Sequence, residues 1–284
     1  MFTTAISLLT TIVMRFLLLI LFGIVLNMEV IGIALTVCMD WNIFRKRFNR
    51  RIIDMNIQKL YETDKEFMDI FENFAFHEVV NEKGQELDDE TRYIAVLSAL
   101  LGCQGKEAFQ FVLSKALDAQ VSPIMVKEVV YQSCDYLGFG RMLPFLEVVN
   151  EELMKRDISL PLPSQKTTIQ EDRLEKGVET QVQIFGEHMK EAWKAGHINR
   201  WLGTNCFGDY YTRNGLSLKQ REMITFCFLM AQGGCEPQLI AHAKGNMNLG
   251  NDDQFLTKVV SQCLPYIGYP RSLNAIKCIK KAME

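Results

Sequence analysis

Apolar side chains recur along most of this chain at the three- and four-residue spacing of helices, as in Ile94, Leu97 and Leu101 and again in Ile124, Val129 and Cys134. Sustained alternation of the kind that builds strands is absent, so the pattern predicts an all-α fold. Polar punctuation marks where the helices start and stop. Asp88 and Ser217 stand as N-caps, and Ser217 with Gln220 three residues on makes a capping box. Ser122 before Pro123, and Asn251 with Gln254, open a further corresponding pair. Gly138 and Gly268 close that pair, where a residue of positive φ ends a helix at little steric cost. A long polar-apolar helix is expected from about Ile169 to Ala195, matching Ile52–Val79 upstream.

These correspondences form an internal repeat. Laying 129–143 over 259–273 pairs Val129 with Val259, Gln132 with Gln262, Tyr136 with Tyr266, Gly138 with Gly268 and Arg141 with Arg271 at a constant offset of 130. Further upstream the offset drifts by one residue, pairing Leu87 with Leu216 and Arg92 with Arg221. Two tandem copies of one helical module are the economical reading, over residues 52–156 and 169–284. Between them, residues 157–168 hold Pro161 and Pro163 among polar residues, which suits a linker.

Ahead of both copies, residues 1–51 form a hydrophobic segment with a basic flank. Its apolar run 16–38 is long enough to cross a bilayer, and the basic cluster Arg45–Arg51 behind it would leave the body of the chain in the cytoplasm. A signal peptide, or a true start at Met14, Met28 or Met39, competes with a membrane anchor for this stretch. The 284 residues are 48% hydrophobic, enough for a substantial core, and the net charge of −3 argues against nucleic acid as a partner. Eight cysteines sit mostly in apolar helix-like runs, without CxxC or zinc-site spacing, which suits free thiols in a reducing compartment and no structural metal. No cofactor is called for.

Candidate chemistry gathers in the second copy. Tyr211 begins a run through Arg213 to Arg221 and Glu222, followed by an apolar helix, Cys235, His242, the stretch 245–250 and Tyr266 to Pro270. Over residues 205–283 this pattern resembles the carboxymuconolactone decarboxylase family, which includes the alkylhydroperoxidase D proteins. The resemblance implies a helical fold, trimeric or hexameric assembly and, in peroxidase members, a relay of Glu, His and a CxxC pair. Carried over by position, Glu222 matches the relay carboxylate, His242 the relay histidine and Cys235 the first cysteine. Gln238 stands where the second cysteine would fall, which removes the resolving thiol of a peroxidase. In the first copy Tyr93 replaces the Glu, and Val112 or Leu113 the His, so one site per chain is expected, with the first copy supplying packing and a wall of a neighbouring pocket.

The leading expectation is an enzyme acting on a small carboxylated or lactone-type substrate through Glu222 and His242, with Arg213 clamping the substrate carboxylate. A homotrimer would then bring six modules together. Two other readings compete: a thiol-dependent peroxidase using Cys235, whose position at a helix start would lower its pKa, and a membrane-tethered binding protein without catalysis. Taken residue by residue, Glu222 reads equally as a solvated helix carboxylate beside Arg221, His242 as a surface or satisfied core histidine, and Arg213 as a loop cation.

Overall fold

The computed structural model describes residues 57–284, and the hydrophobic run 16–38 and the basic cluster 45–51 lie outside them. Within these residues every regular element is helical. The first group comprises α1 (Ile57–Thr63), α2 (Lys65–Asn73, running into a wide π turn at Phe74–Glu78), α3 (Asp89–Gly102), α4 (Lys106–Asp118), α5 (Pro123–Leu137) and α6 (Phe139–Lys155). The second comprises α7 (Arg173–Phe185), α8 (His197–Trp201, running into a π helix at Leu202–Tyr211), α9 (Leu218–Gln232), α10 (Glu236–Asn248), α11 (Asp253–Ile267) and α12 (Tyr269–Met283). Among the described residues no helix is long and apolar enough to cross a membrane.

Local chemistry accounts for most boundaries. The Asp88 carboxylate accepts from Thr91 N at 2.9 Å, and the Ser217/Gln220 capping box is complete. Gly138 and Gly268, at φ +82° and +79°, end α5 and α11, and a further helix starts at the next residue in each case. Two expectations need correction. Asp252, not Asn251, caps α11, accepting from Phe255 N at 2.7 Å; Asn251 is drawn inward, where its amide donates to Lys219 O and Asn246 Oδ1. The long helix expected from Ile169 to Ala195 breaks after Phe185 because Gly186 turns to φ +104°, a conformation that ends a helix. Its counterpart is also broken, between Thr63 and Lys65.

The helices α3–α6 and α9–α12 follow one another with closely similar lengths, and they share one continuous core. Ile94, Leu97, Leu101, Phe109 and Val130 from the first group and Ile224, Phe226, Phe228, Val259 and Cys263 from the second are fully or almost fully buried in it. Helices α3 and α9 cross at its centre. Gly102 permits their close approach, since a methyl group there would fall 2.6 Å from Phe228 O. The stretch after α6 is not a solvated tether: Ile158, Leu160 and Leu162 pack against the core, and Thr168 donates to Gly208 O at 3.1 Å.

Candidate functional site

Three glycines bring α7 and the π helix together backbone to backbone. A methyl group at Gly177 would fall 1.9 Å from Gly203 O, and one at Gly208 would fall 2.1 Å from Arg173 O. This contact seats Cys206, Phe207 and Tyr211 beneath α7, in a small buried cluster with Ile184. Gly245 on α10 performs the same service for Glu222 on α9: a methyl group there would lie 2.9 Å from the Glu222 carboxylate. The absence of a side chain leaves the space the carboxylate occupies.

Glu222 is 0% exposed, which excludes the reading of a solvated surface acid. His242 Nδ1 lies 2.8 Å from its Oε2, and the Tyr211 hydroxyl donates to its Oε1 at 2.7 Å. With Nδ1 carrying the proton toward the carboxylate, the tautomer is set and Nε2 is left for the cavity. The imidazole is fixed from both sides by the edges or faces of Tyr136 and Phe185, with ring centroids 5.5 and 5.4 Å away. Asn246 locks the backbone behind it, donating to Glu222 O and His242 O.

The polar network continues into the first group of helices. Tyr211 Oη lies 2.9 Å from Tyr136 Oη and 2.7 Å from Thr225 Oγ1, and Gln132 on α5 donates to Thr225 Oγ1 at 2.9 Å. Burial pushes the Tyr211 and Tyr136 phenols and the Cys206 thiol well up, so all three stay protonated and serve as fixed dipoles. The first group therefore does form a wall of the second group's cavity.

That cavity, about 780 Å³, is lined by His242, Cys235 and Gln238 from the α10 side, Gln181 and Phe185 from α7, Phe207 from the π helix, and Asp135 and Tyr136 from α5. Asp135 is the unusual member. Burial pushes its carboxyl up to about 7, opposed by a hydrogen bond with Cys206 and reinforced by the charge of Asp209. Between the ordinary value near 4 and about 7 the folded protein then binds more protons than the unfolded chain. The corresponding stability is complete at the acid end and lost as pH rises through that window. Asp135→Asn should flatten this slope, which thermal unfolding at pH 5 and pH 8 would reveal; an unchanged difference between the two pH values would contradict it.

Not every expected site residue joins the cavity in the expected role. Cys235 reaches it, but burial pushes its thiol up, opposed by a hydrogen bond with Gln232 and reinforced by the charge of Glu236. Its Sγ donates to Leu229 O at 3.4 Å. The expected lowering by the helix start is outweighed, because desolvation of a thiolate exceeds the dipole's attraction here. Arg213 lies elsewhere: its guanidinium is engaged by Glu128 in a forked pair at 2.8 and 2.9 Å, so it has no free fork for a substrate carboxylate. Glu128 also binds Arg221 at 3.0 Å, making an Arg–Glu–Arg triad that ties α5 to α9 and to the loop before it.

Sequence reasoning did not single out Tyr136, Thr225, Asp135 or Gln181. For Asp135 a signal existed, because the 130-residue offset places it opposite Pro265, a polar departure in an otherwise matched helix. At the corresponding place in the first group, Tyr93, Val112 and Leu113 are buried without an acid–imidazole pair, and Tyr266 meets the Phe71 ring at 5.9 Å rather than a hydroxyl network. Among the described residues no group of His, Cys, Asp and Glu is arranged to hold a metal ion, and none of the cysteines is paired.

Comparison with known proteins gives one finding that bears on this site. Residues 197–281 match the model of the Carboxymuconolactone decarboxylase family, a stretch that contains Glu222, Cys235 and His242. No curated protein matches the chain.

Proposed function

We propose, from the match of residues 197–281 to the model of the Carboxymuconolactone decarboxylase family, that the chain is a decarboxylase-like enzyme acting on a small carboxylated lactone, with His242 as its proton donor. The observation that carries this reading is the buried 2.8 Å contact between His242 Nδ1 and Glu222, at the wall of a cavity large enough for such a molecule. As the bond between the substrate carbon and its carboxylate breaks, carbon dioxide leaves and the electron pair passes into the conjugated lactone as an enolate. The imidazolium Nε2–H then protonates that carbon, and solvent restores the proton to His242. Glu222 holds the ring in register, while Tyr211 holds Glu222.

The aromatic and aliphatic lining from Phe185, Phe207 and Leu229 favours a flat apolar body, and Lys244 at the rim favours an anionic group. The raised Cys235 thiol and Gln238 in place of a second cysteine weigh against the peroxidase alternative. A homotrimer with one site per chain remains part of this proposal, supported by exposed Phe139, Tyr269 and Leu273 on α6 and α12. So does cytoplasmic placement with attachment to a membrane through residues 16–38.

The test is release of carbon dioxide from a carboxylated unsaturated γ-lactone. The wild type should release it, and Glu222→Gln should slow it about 100-fold by loosening the imidazole's position. No release by the wild type would remove the decarboxylase reading, and an undiminished rate in Glu222→Gln would remove the role of the pair.

A further inference from the structure

Two residues that line the cavity each carry a buried polar atom that no protein group satisfies, Asp135 Oδ2 and Gln181 Oε1. Gln181 is 1% exposed. Orphaned polar atoms cost free energy wherever they are buried, so their place on one cavity's lining points to a ligand that completes them. Asp135 on α5 and His242 on α10 thus line one cavity from different helices.

We propose that Asp135, contributed by the first group of helices, is a second catalytic residue of this cavity: a neutral carboxylic acid that hydrogen-bonds the substrate's lactone carbonyl and holds the enolate oxygen. This deepens the decarboxylase reading and rests on it for the identity of the substrate. A carboxyl group that holds its proton up to about 7 can donate below that pH where a carboxylate could only accept, and the burial of Asp135 has that effect. As carbon dioxide leaves, the Asp135 O–H proton passes to the enolate oxygen. When His242 then protonates the carbon, the enol returns that proton to the Asp135 carboxylate and the carbonyl re-forms. Asp135 ends as it began, and the one proton consumed comes from solvent through His242.

Besides burial, Cys206 and Asp209 on the π helix act on its titration; Cys134 and Tyr136 flank it on its own helix, Tyr210 stands on the π helix, and His188, Lys244 and His242 line the same cavity. Only Asp209 among the carboxylates acts directly on it, and it acts to keep the proton in place.

Infrared spectroscopy of the full protein reads the group directly, through the carbonyl stretch of a protonated carboxyl. The wild type should show this band at pH 6, lose it as pH rises past about 7, and lack it throughout in Asp135→Asn. Adding an unsaturated γ-lactone should move the wild-type band to lower frequency as the hydrogen bond forms. In the carbon dioxide assay, Asp135→Ala should lower kcat about 100- to 1000-fold with KM largely unchanged, and Asp135→Asn, whose amide can still donate, should recover part of the loss. A band that survives in Asp135→Asn, a band that ignores the lactone, or an Asp135→Ala variant with wild-type kcat would each overturn the proposal. A band that shifts with the lactone in a protein that releases no carbon dioxide would sink the decarboxylase reading and, with it, the catalytic part of Asp135, leaving only its hydrogen bond to the lactone carbonyl.

Discussion

Replacing His242 by alanine should lower turnover of a carboxylated lactone about 100- to 10,000-fold, the range that a positioned general acid contributes, while far-UV circular dichroism stays helical. The second half of that expectation needs its own argument. His242 is 8% exposed and borders an existing cavity, so truncation enlarges an opening rather than creating a sealed void. It does strip the Glu222 carboxylate of one of its two partners, leaving Tyr211. His242→Gln is therefore the companion variant, because its amide can donate toward Glu222 but cannot deliver a proton. Both variants should fold and both should be inactive; full activity in either would end the assignment.

The largest effect on stability is expected at Glu128. Its carboxylate, 1% exposed at the side chain, is the only anion of the triad with Arg213 and Arg221, and the Arg221 side chain is wholly buried. Burial already pulls the Arg221 guanidinium below its ordinary value, with Glu128 opposing that fall. Glu128→Ala leaves a buried cation uncompensated and should cost about 3–5 kcal/mol, measured by urea denaturation. Adding Arg221→Met should restore much of the loss, since an apolar chain of similar volume needs no counter-charge. Wild-type stability in the single variant would show that solvent or Gln132, which accepts from Arg221 at 2.8 Å, carries the charge instead.

How far the molecule was legible depended on whether the determining contact was local. Caps at Asp88 and Ser217, and the helix ends at Gly138 and Gly268, are decided within a few residues and were readable. The juxtaposition of Glu222 and His242 follows from two helices joined by a short turn at Gly233 and Gly234, and it was readable through the resemblance. Arg213 was misjudged because its partner Glu128 lies 85 residues away, and nothing near Arg213 announces it. Asn251 and Asp252 compete for one cap, and the winner is decided by Asn246 and Lys219, which pull Asn251 inward. Asp135 was overlooked because its setting depends on Cys206 and Asp209 from a π helix that periodicity does not predict.

Gln132, Asp135, Tyr136 and Glu128 all stand on α5, outside the stretch that matches the family. Resemblance and self-sufficiency thus have different borders in this chain: residues 197–281 carry the match, but without α5 they would present Arg221, Thr225 and Tyr211 to water and lose one wall of the cavity beside His242. The upstream helices lend their neighbour masonry: Asp135 and Tyr136 stand in the wall of its cavity.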